Sequence, residues 1–216
     1  MTHILITGCN RGIGRALAEE ALARDWQVTG TARTNVDLPI QLLDCEMTDV
    51  AKLGEVFADL APLDILINNA GVIGPARQST QDMDFAGFRQ TLTVNTLAPL
   101  AVTQACLPAL RARHGSRVLS VSSQMAWMGY AKSDRIAYRA SKAALNKVMQ
   151  GLATDLEPEG IAVALVDPGW VRTDMGGAEA DEDVGDVAEG ILALAERLSL
   201  NDTGKFFRFT GEERAF

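Results

Sequence analysis

The chain has 216 residues, 47% of them apolar and 22% charged, with a formal net charge of −8. This size and balance fit one globular domain with a substantial core, and the acidic surplus argues against nucleic acid or an anionic membrane as partner. No apolar run reaches the ~20 residues of a membrane span. The N-terminus, Met1-Thr-His-Ile, has no basic region followed by an apolar segment. Three scattered cysteines, at positions 9, 45 and 106, fit a reducing cytoplasm and no disulfide frame. His3 and His114 are the only histidines; both are expected at the surface, and no metal site is expected.

His3 to Thr7 reads as a short strand, followed by Gly8-Cys-Asn-Arg-Gly-Ile-Gly14 and a helical pattern from Ala16 to Arg24. Strand, glycine turn and helix in succession let a backbone approach a ligand closely and present unpaired helix N–H groups to a pyrophosphate. Gly8, Asn10, Arg11, Gly12, Ile13 and Gly14 are therefore candidate dinucleotide contacts. Trp26 to Thr31 is the second strand. An acid about twenty residues past the glycines would bond a ribose 2′-hydroxyl, but the window Thr31-Ala-Arg-Thr34 holds none. Arg33, with Arg11 in the turn, suits a 2′-phosphate instead, so NADP(H) is expected ahead of NAD(H).

Ile40 to Leu43 is a third strand ending at Asp44, and Thr48 or Asp49 caps a helix expected over roughly 49–60. Leu63 to Ile67 is a fourth strand, with Asn68-Asn-Ala-Gly71 past its carboxyl end, where open parallel sheets bind ligands. Asn68 is accordingly placed in the cofactor groove, with Ala70 beside it. Residues 82–113 read as a long helix containing Pro99 and Pro108. Pro99 has no N–H for the carbonyl four residues back, so the main-chain carbonyl of Asn95 is expected to lack its helical partner and to bind water.

Arg117 to Val121 is the fifth strand and ends in Ser122-Ser123. The loop from Gln124 to Ile136 carries Met125, Trp127, Met128 and Tyr130, either as core beneath a loop or as the lining of an apolar substrate pocket. Tyr138-Arg-Ala-Ser-Lys142 then opens a helix running to Leu156, with Leu145, Val148, Met149, Leu152 and Leu156 on one apolar face. Tyr138 and Lys142, four apart, share a helix face. An ammonium close to a phenol lowers its pKa from ~10, and the acidified phenol can hand a proton to a carbonyl oxygen.

Glu157-Pro-Glu-Gly160 stops that helix, and Ile161 to Val166 is a sixth strand. Asp167-Pro-Gly-Trp-Val-Arg-Thr-Asp-Met175 lies beyond it. Gly176 to Asp183 is expected to be a flexible, solvated acidic loop before a helix over 184–199, and Lys205 to Phe209 a last strand. The alternation predicts one α/β domain over 1–216: a doubly wound parallel sheet of about seven strands with helices on both faces.

The ordered set Thr7-Gly-Cys-Asn-Arg-Gly-Ile-Gly14, Asn68-Asn-Ala-Gly71, Asn95, Ser122-Ser123, Tyr138-x-x-x-Lys142 and Pro168-Gly-x-Val-x-Thr173 resembles the short-chain dehydrogenase/reductases, in their single-domain branch of C-factor and sniffer-like carbonyl reductases. The resemblance implies a Rossmann-type fold, NADP(H) and hydride transfer to or from a carbonyl or alcohol. It implies Tyr138 as acid/base, Lys142 as the cation that lowers its pKa and holds the nicotinamide ribose, and Ser123 (or its neighbour Ser122) on the substrate oxygen. Asn95 would hold a water. Gly8, Gly12 and Gly14 would meet the pyrophosphate, Asp44 the adenine, Asn68 the groove, and Pro168, Val171 and Thr173 the nicotinamide end. The short segment after Met175 implies an open or partly shared pocket, and the family's pairing of two long helices implies a homodimer or homotetramer. The other reading is a nucleotide-binding signalling or regulatory protein making little catalytic use of the site.

Overall fold

A computed structural model describes residues 1–129 and 131–216, so Tyr130 lies outside the described residues. Eight strands form one sheet: β1 (His3–Thr7), β2 (Gln27–Ala32), β3 (Gln41–Asp44), β4 (Ile65–Asn68), β5 (Arg117–Val121), β6 (Ala162–Asp167), β7 (Phe206–Arg208) and β8 (Glu213–Arg214). Their order is β3-β2-β1-β4-β5-β6-β7-β8. Strands β1 to β7 pair in parallel, and β8 returns antiparallel on β7. The sheet thus has one strand more than the expected seven, because Gly211 (φ 89°) turns the chain back into a hairpin whose second strand is too short to carry a pattern.

Side-chain alternation splits the core in two. Ile4 and Ile6 of β1 and Ile65 and Ile67 of β4 face one layer, with α1 (Gly12–Ala23) and α6 (Val184–Arg197). Leu5 and Leu66 face the other, with α4 (Ala98–Arg111) and α5 (Ile136–Leu156). Both faces are covered, so the central strands are apolar throughout rather than alternating. The chain winds outward from β1 to one side and from β4 to the other. The switch point between them opens a crevice at the strands' carboxyl ends.

Three local expectations change. The helix expected over 49–60 shrinks to a 3₁₀ turn at Val50–Lys52 and the four-residue α2 (Leu53–Val56), with Leu53 and Phe57 anchored in the core. The long helix over 82–113 begins at Phe85, where the Asp84 carboxylate accepts from the N–H groups of Ala86 and Gly87. It runs as α3 (Phe85–Leu92), a π-helical turn at Thr93–Leu97, and then α4. Pro99 sits in the first turn of α4, where a missing N–H costs least, and the π turn absorbs the mismatch just before it. His3, expected at the surface, is buried: its ring contacts the Pro62 carbonyl at 3.0 Å and the Thr29 hydroxyl at 2.8 Å, because position 3 already belongs to a strand covered on both faces.

Candidate active site

A cleft of about 610 Å³ runs across the carboxyl edge of the sheet and collects the segments following β1, β2, β3, β4, β5 and β6. At its floor α1 begins. Gly8 (φ 71°) and Gly12 (φ 53°) hold conformations that favour glycine. Gly14 admits no side chain, since a Cβ would lie 2.0 Å from the Gly8 carbonyl oxygen. Arg11 precedes the helix without a side-chain cap, and the first turn contains no acid. The unpaired N–H groups and the positive end of the helix dipole are therefore left for an anion. Gly8, Asn10, Arg11, Gly12, Ile13 and Gly14 all line the cleft. Asn69 braces the turn, its amide donating to the carbonyls of Thr7 (2.9 Å) and Gly8 (3.2 Å).

At the β2 and β3 end the cleft is walled by Arg33, Cys45, Glu46, Met47 and Thr48. The Arg33 guanidinium, largely exposed, lies 3.4 Å from the Glu46 carboxylate. Arg11 pairs with Asp174 at 3.1 Å. Asp44 is not part of this wall: it ends β3 with its side chain toward solvent, and the wall begins at the next residue. Asn68 is likewise absent. Strand parity turns it, with Leu66, to the α4 side, where its amide donates to Thr103 (3.0 Å) and Ser120 (3.2 Å). Asn69 and Ala70 are the groove residues of that segment.

On the other side of the switch point, Ser123, Tyr138 and Lys142 line the cleft together with Pro168, Val171 and Thr173. Ser122 lines the cleft as well, and the two serines differ in their partners. The buried Ser122 hydroxyl is bonded to the Asn146 amide oxygen, whereas Ser123 faces the Tyr138 phenol and favours its ionisation. Ser123 also accepts from the Met125 N–H at 3.1 Å. The Lys142 ammonium donates to the Val121 carbonyl at 2.7 Å and lies 5.9 Å from the Tyr138 ring centre.

The electrostatics reverse the expectation for this pair. Burial pushes the Tyr138 phenol up to about 12, with the Asp167 carboxylate adding to the rise and Ser123 and Arg135 opposing it. Burial also pulls Lys142 down to about 8. Each group is driven toward its neutral form because both lose water, and that effect outweighs attraction over the distance separating them. At neutral pH Tyr138 is thus a protonated phenol, a form that can donate.

Asn95 lies behind the cleft, fully buried in the π turn. Its amide clasps the Val72 backbone in both directions (2.9 and 2.8 Å) and donates to the Ser141 hydroxyl of α5 at 3.0 Å. A side chain at Gly71 would come within 3.3 Å of the Asn95 oxygen and 3.7 Å of the Lys142 nitrogen, so glycine lets these groups close up.

Two further positioning groups carry no sequence signal. Gln78, in a loop, accepts from the Tyr138 N–H (3.2 Å), and its main-chain carbonyl accepts from Ile136 (2.9 Å). Asp167, fully buried, accepts from the N–H groups of Gln124 and Gly169, both at 3.1 Å, and pairs with Arg214 of β8 at 3.2 Å. The acidic segment 176–183, expected to be flexible, is folded against its own stem. Arg172 donates to the carbonyls of Ala180 and Asp181, and the Trp170 indole donates to that of Gly176. Of the expected pocket aromatics and methionines, Met125 lines the cleft, while Trp127 and Met128 are exposed. No group of metal-binding residues is found among the described residues, and no helix among them is long and apolar enough to cross a membrane.

Comparison with known proteins agrees with this geometry. C-signal of Myxococcus xanthus is 44% identical over 154 residues, which cover 70% of this chain and 92% of that protein. Several other curated relatives are longer, and the chain spans 59–60% of their length. Among solved structures, the carbonyl reductase Sniffer of D. melanogaster superposes with a TM-score of 0.92 at 29% identity over the whole of both chains. An NADPH-bound carbonyl reductase from chicken fatty liver superposes at 0.89 and 27% identity, covering 100% of this chain and 99% of that one. The sequence profile described as short chain dehydrogenase matches residues 2–183, most of the chain, and the chain belongs to that family of oxidoreductases.

Proposed function

We propose that this protein is an NADP(H)-dependent carbonyl reductase, moving hydride reversibly between the nicotinamide and a carbonyl or alcohol substrate. The observation that carries the reading is the meeting, in one cleft, of Ser123, Tyr138 and Lys142 with the uncapped start of α1 and the Arg33 guanidinium. The free helix N–H groups and the glycine turn fit a pyrophosphate. Arg11 and Arg33 fit a 2′-phosphate better than a bare ribose, in keeping with the NADPH bound by the chicken relative.

When bound, the coenzyme supplies the hydride; this chain supplies orientation and the proton. Ser123 and Tyr138 donate hydrogen bonds to the substrate oxygen as negative charge grows on it. Tyr138 then gives that oxygen its proton, so carbonyl, NADPH and one proton become alcohol and NADP⁺. The high pKa of Tyr138 matches the donor role. Lys142, held by the Val121 carbonyl, provides the positive charge that stabilises the phenolate left behind. Asn95 acts by position, fixing Val72 and α5 beneath the site.

Tyr138→Phe is expected to bind NADPH normally and to lose roughly 10²–10⁴ in turnover. Near-normal reduction of aldehydes or quinones by this variant would remove the assigned acid. In the same titrations Arg33→Ala should weaken NADPH about tenfold or more and leave NADH unchanged; equal losses for both would overturn the NADP preference. The 44% identity to a protein named C-signal favours one alternative, a regulatory nucleotide-binding protein. It would show NADPH affinity without turnover across a panel of carbonyls.

A further inference from the structure

Four arginines line the cleft: Arg11, Arg33, Arg135 and Arg139. Three have carboxylate partners, Arg11 with Asp174, Arg33 with Glu46, and Arg139 with Asp134 at 2.9 Å. Arg135 is different. Its guanidinium has no ion pair or hydrogen bond among the described residues, although the acidic Asp134 is its neighbour in sequence and Asp181 lines the same cleft. Asp134 is engaged by Arg139 through both its side chain and its main-chain carbonyl.

The position is also built at a cost. Arg135 has φ 51° and ψ 42°, a left-handed conformation that a side-chain-bearing residue seldom adopts. Glycine would hold the turn more easily. The conformation is fixed by its surroundings: Gln78 accepts from the next N–H, and the Arg135 carbonyl accepts from Arg139 at 2.9 Å. Arg135 lies three residues before Tyr138, and its charge reaches the phenol strongly enough to ease its ionisation. Apolar side chains share the cleft: Met125, Trp170 and Met175 line it, and Trp170 and Met175 are each about half exposed.

An uncommitted guanidinium whose charge reaches the reacting phenol, in a cleft that also holds apolar side chains, suits a ligand with two matching parts. A planar guanidinium pairs with carboxylate oxygens in a fixed fork, and thioether and indole surfaces take an apolar body. We propose that Arg135 anchors a carboxylate on the substrate, and that the cleft takes acidic carbonyl compounds, oxo acids with an apolar body, in preference to neutral ones. This rests on the reductase reading above and names its substrate class. The carbonyl lies between Ser123 and Tyr138, the carboxylate at Arg135, and the apolar body on Met125 and Trp170.

The test compares phenylglyoxylate with its methyl ester, two compounds that differ chiefly in the charge. Wild type should show kcat/KM at least tenfold higher for the acid. Arg135→Gln should erase that preference mainly through KM, and Arg135→Lys should restore part of it. Arg135→Gly, which relieves the left-handed backbone while removing the cation, should lose the preference without losing thermal stability. The ratio separates anchoring from an indirect effect on Tyr138, which would slow acid and ester alike. Calorimetric titration of both compounds into protein saturated with NADP⁺ reads the same preference without turnover. Equal binding and equal kcat/KM for acid and ester, or a ratio unmoved by Arg135→Gln, would overturn the anchor. A preference in binding with no turnover of any carbonyl would keep the anchor and reject the reductase reading.

Discussion

Tyr138 and Lys142 show how residue-level chemistry depends on depth. Four-residue spacing puts them on one face of α5, but burial decides their protonation, holding the phenol near 12 and the ammonium near 8. A lysine with a folded pKa below its unfolded value of ~10.5 binds fewer protons when folded. It therefore costs stability below pH 8, and the cost fades as pH rises from about 8 to ~10.5. Lys142→Met is expected to raise the melting point at pH 7, by about 1–3 kcal/mol in free energy after loss of the Val121 bond. The gain should disappear toward pH ~10.5. A melting curve series that shows a constant difference across this range would contradict the assignment. Activity should fall in the same variant, a trade expected where a site holds an uncompensated charge.

At the scale of elements, the site is a set of helix and strand ends pinned to one another. Gln78 is the clearest case. Its amide nitrogen donates to the carbonyls of Ile73 (3.1 Å) and Pro75 (2.8 Å), and its oxygen holds the first turn of α5 at Tyr138. Gln78→Ala leaves these largely buried groups unpaired, at about 1–3 kcal/mol for the buried donor or acceptor exposed to the loss. Because the first turn carries Tyr138, kcat is expected to fall about tenfold with little change in NADPH affinity; a KM effect alone would show that the clamp serves binding instead. None of this was legible beforehand, since Gln78 lies between two turns with no periodicity around it. The glycine turn, by contrast, was read correctly from Gly8, Gly12 and Gly14, because a tight strand-to-helix turn needs those residues at that junction whatever surrounds it. The helix expected after Asp49 failed for the opposite reason. Its apolar residues Leu53, Val56, Phe57 and Leu60 have helical spacing, but Gly54 weakens the helix from within, and packing of Leu53 and Phe57 into the core sets the local structure.

For the whole molecule, the outer face of the helix layer is the open question with a direct answer. Leu97 is half exposed, and Ala101 and Ala105 follow it at helical spacing along α4, with Val148 on α5. A twofold pairing of these helices would cover them, in the commonest form of oligomer. Sedimentation at micromolar concentration should show two chains or a multiple of two, and Leu97→Asp should shift the species toward one. A single chain in the wild type would reject this pairing.

What the sequence by itself determined is the succession of the seven parallel strands and the longer helices between them, the glycine turn, the proline in the long helix and the Tyr138 to Lys142 spacing. All of these follow from interactions within a few residues. Only the tertiary structure decided which of two adjacent residues meets the cleft, Asn69 rather than Asn68 and Cys45 rather than Asp44, and which of two serines that both line it faces Tyr138. Strand parity and partners far away in the chain, such as Thr103 for Asn68 and Asn146 for Ser122, make that choice. The direction of both central pKa shifts was settled the same way, because desolvation is a property of everything packed around a group and not of its neighbours in sequence.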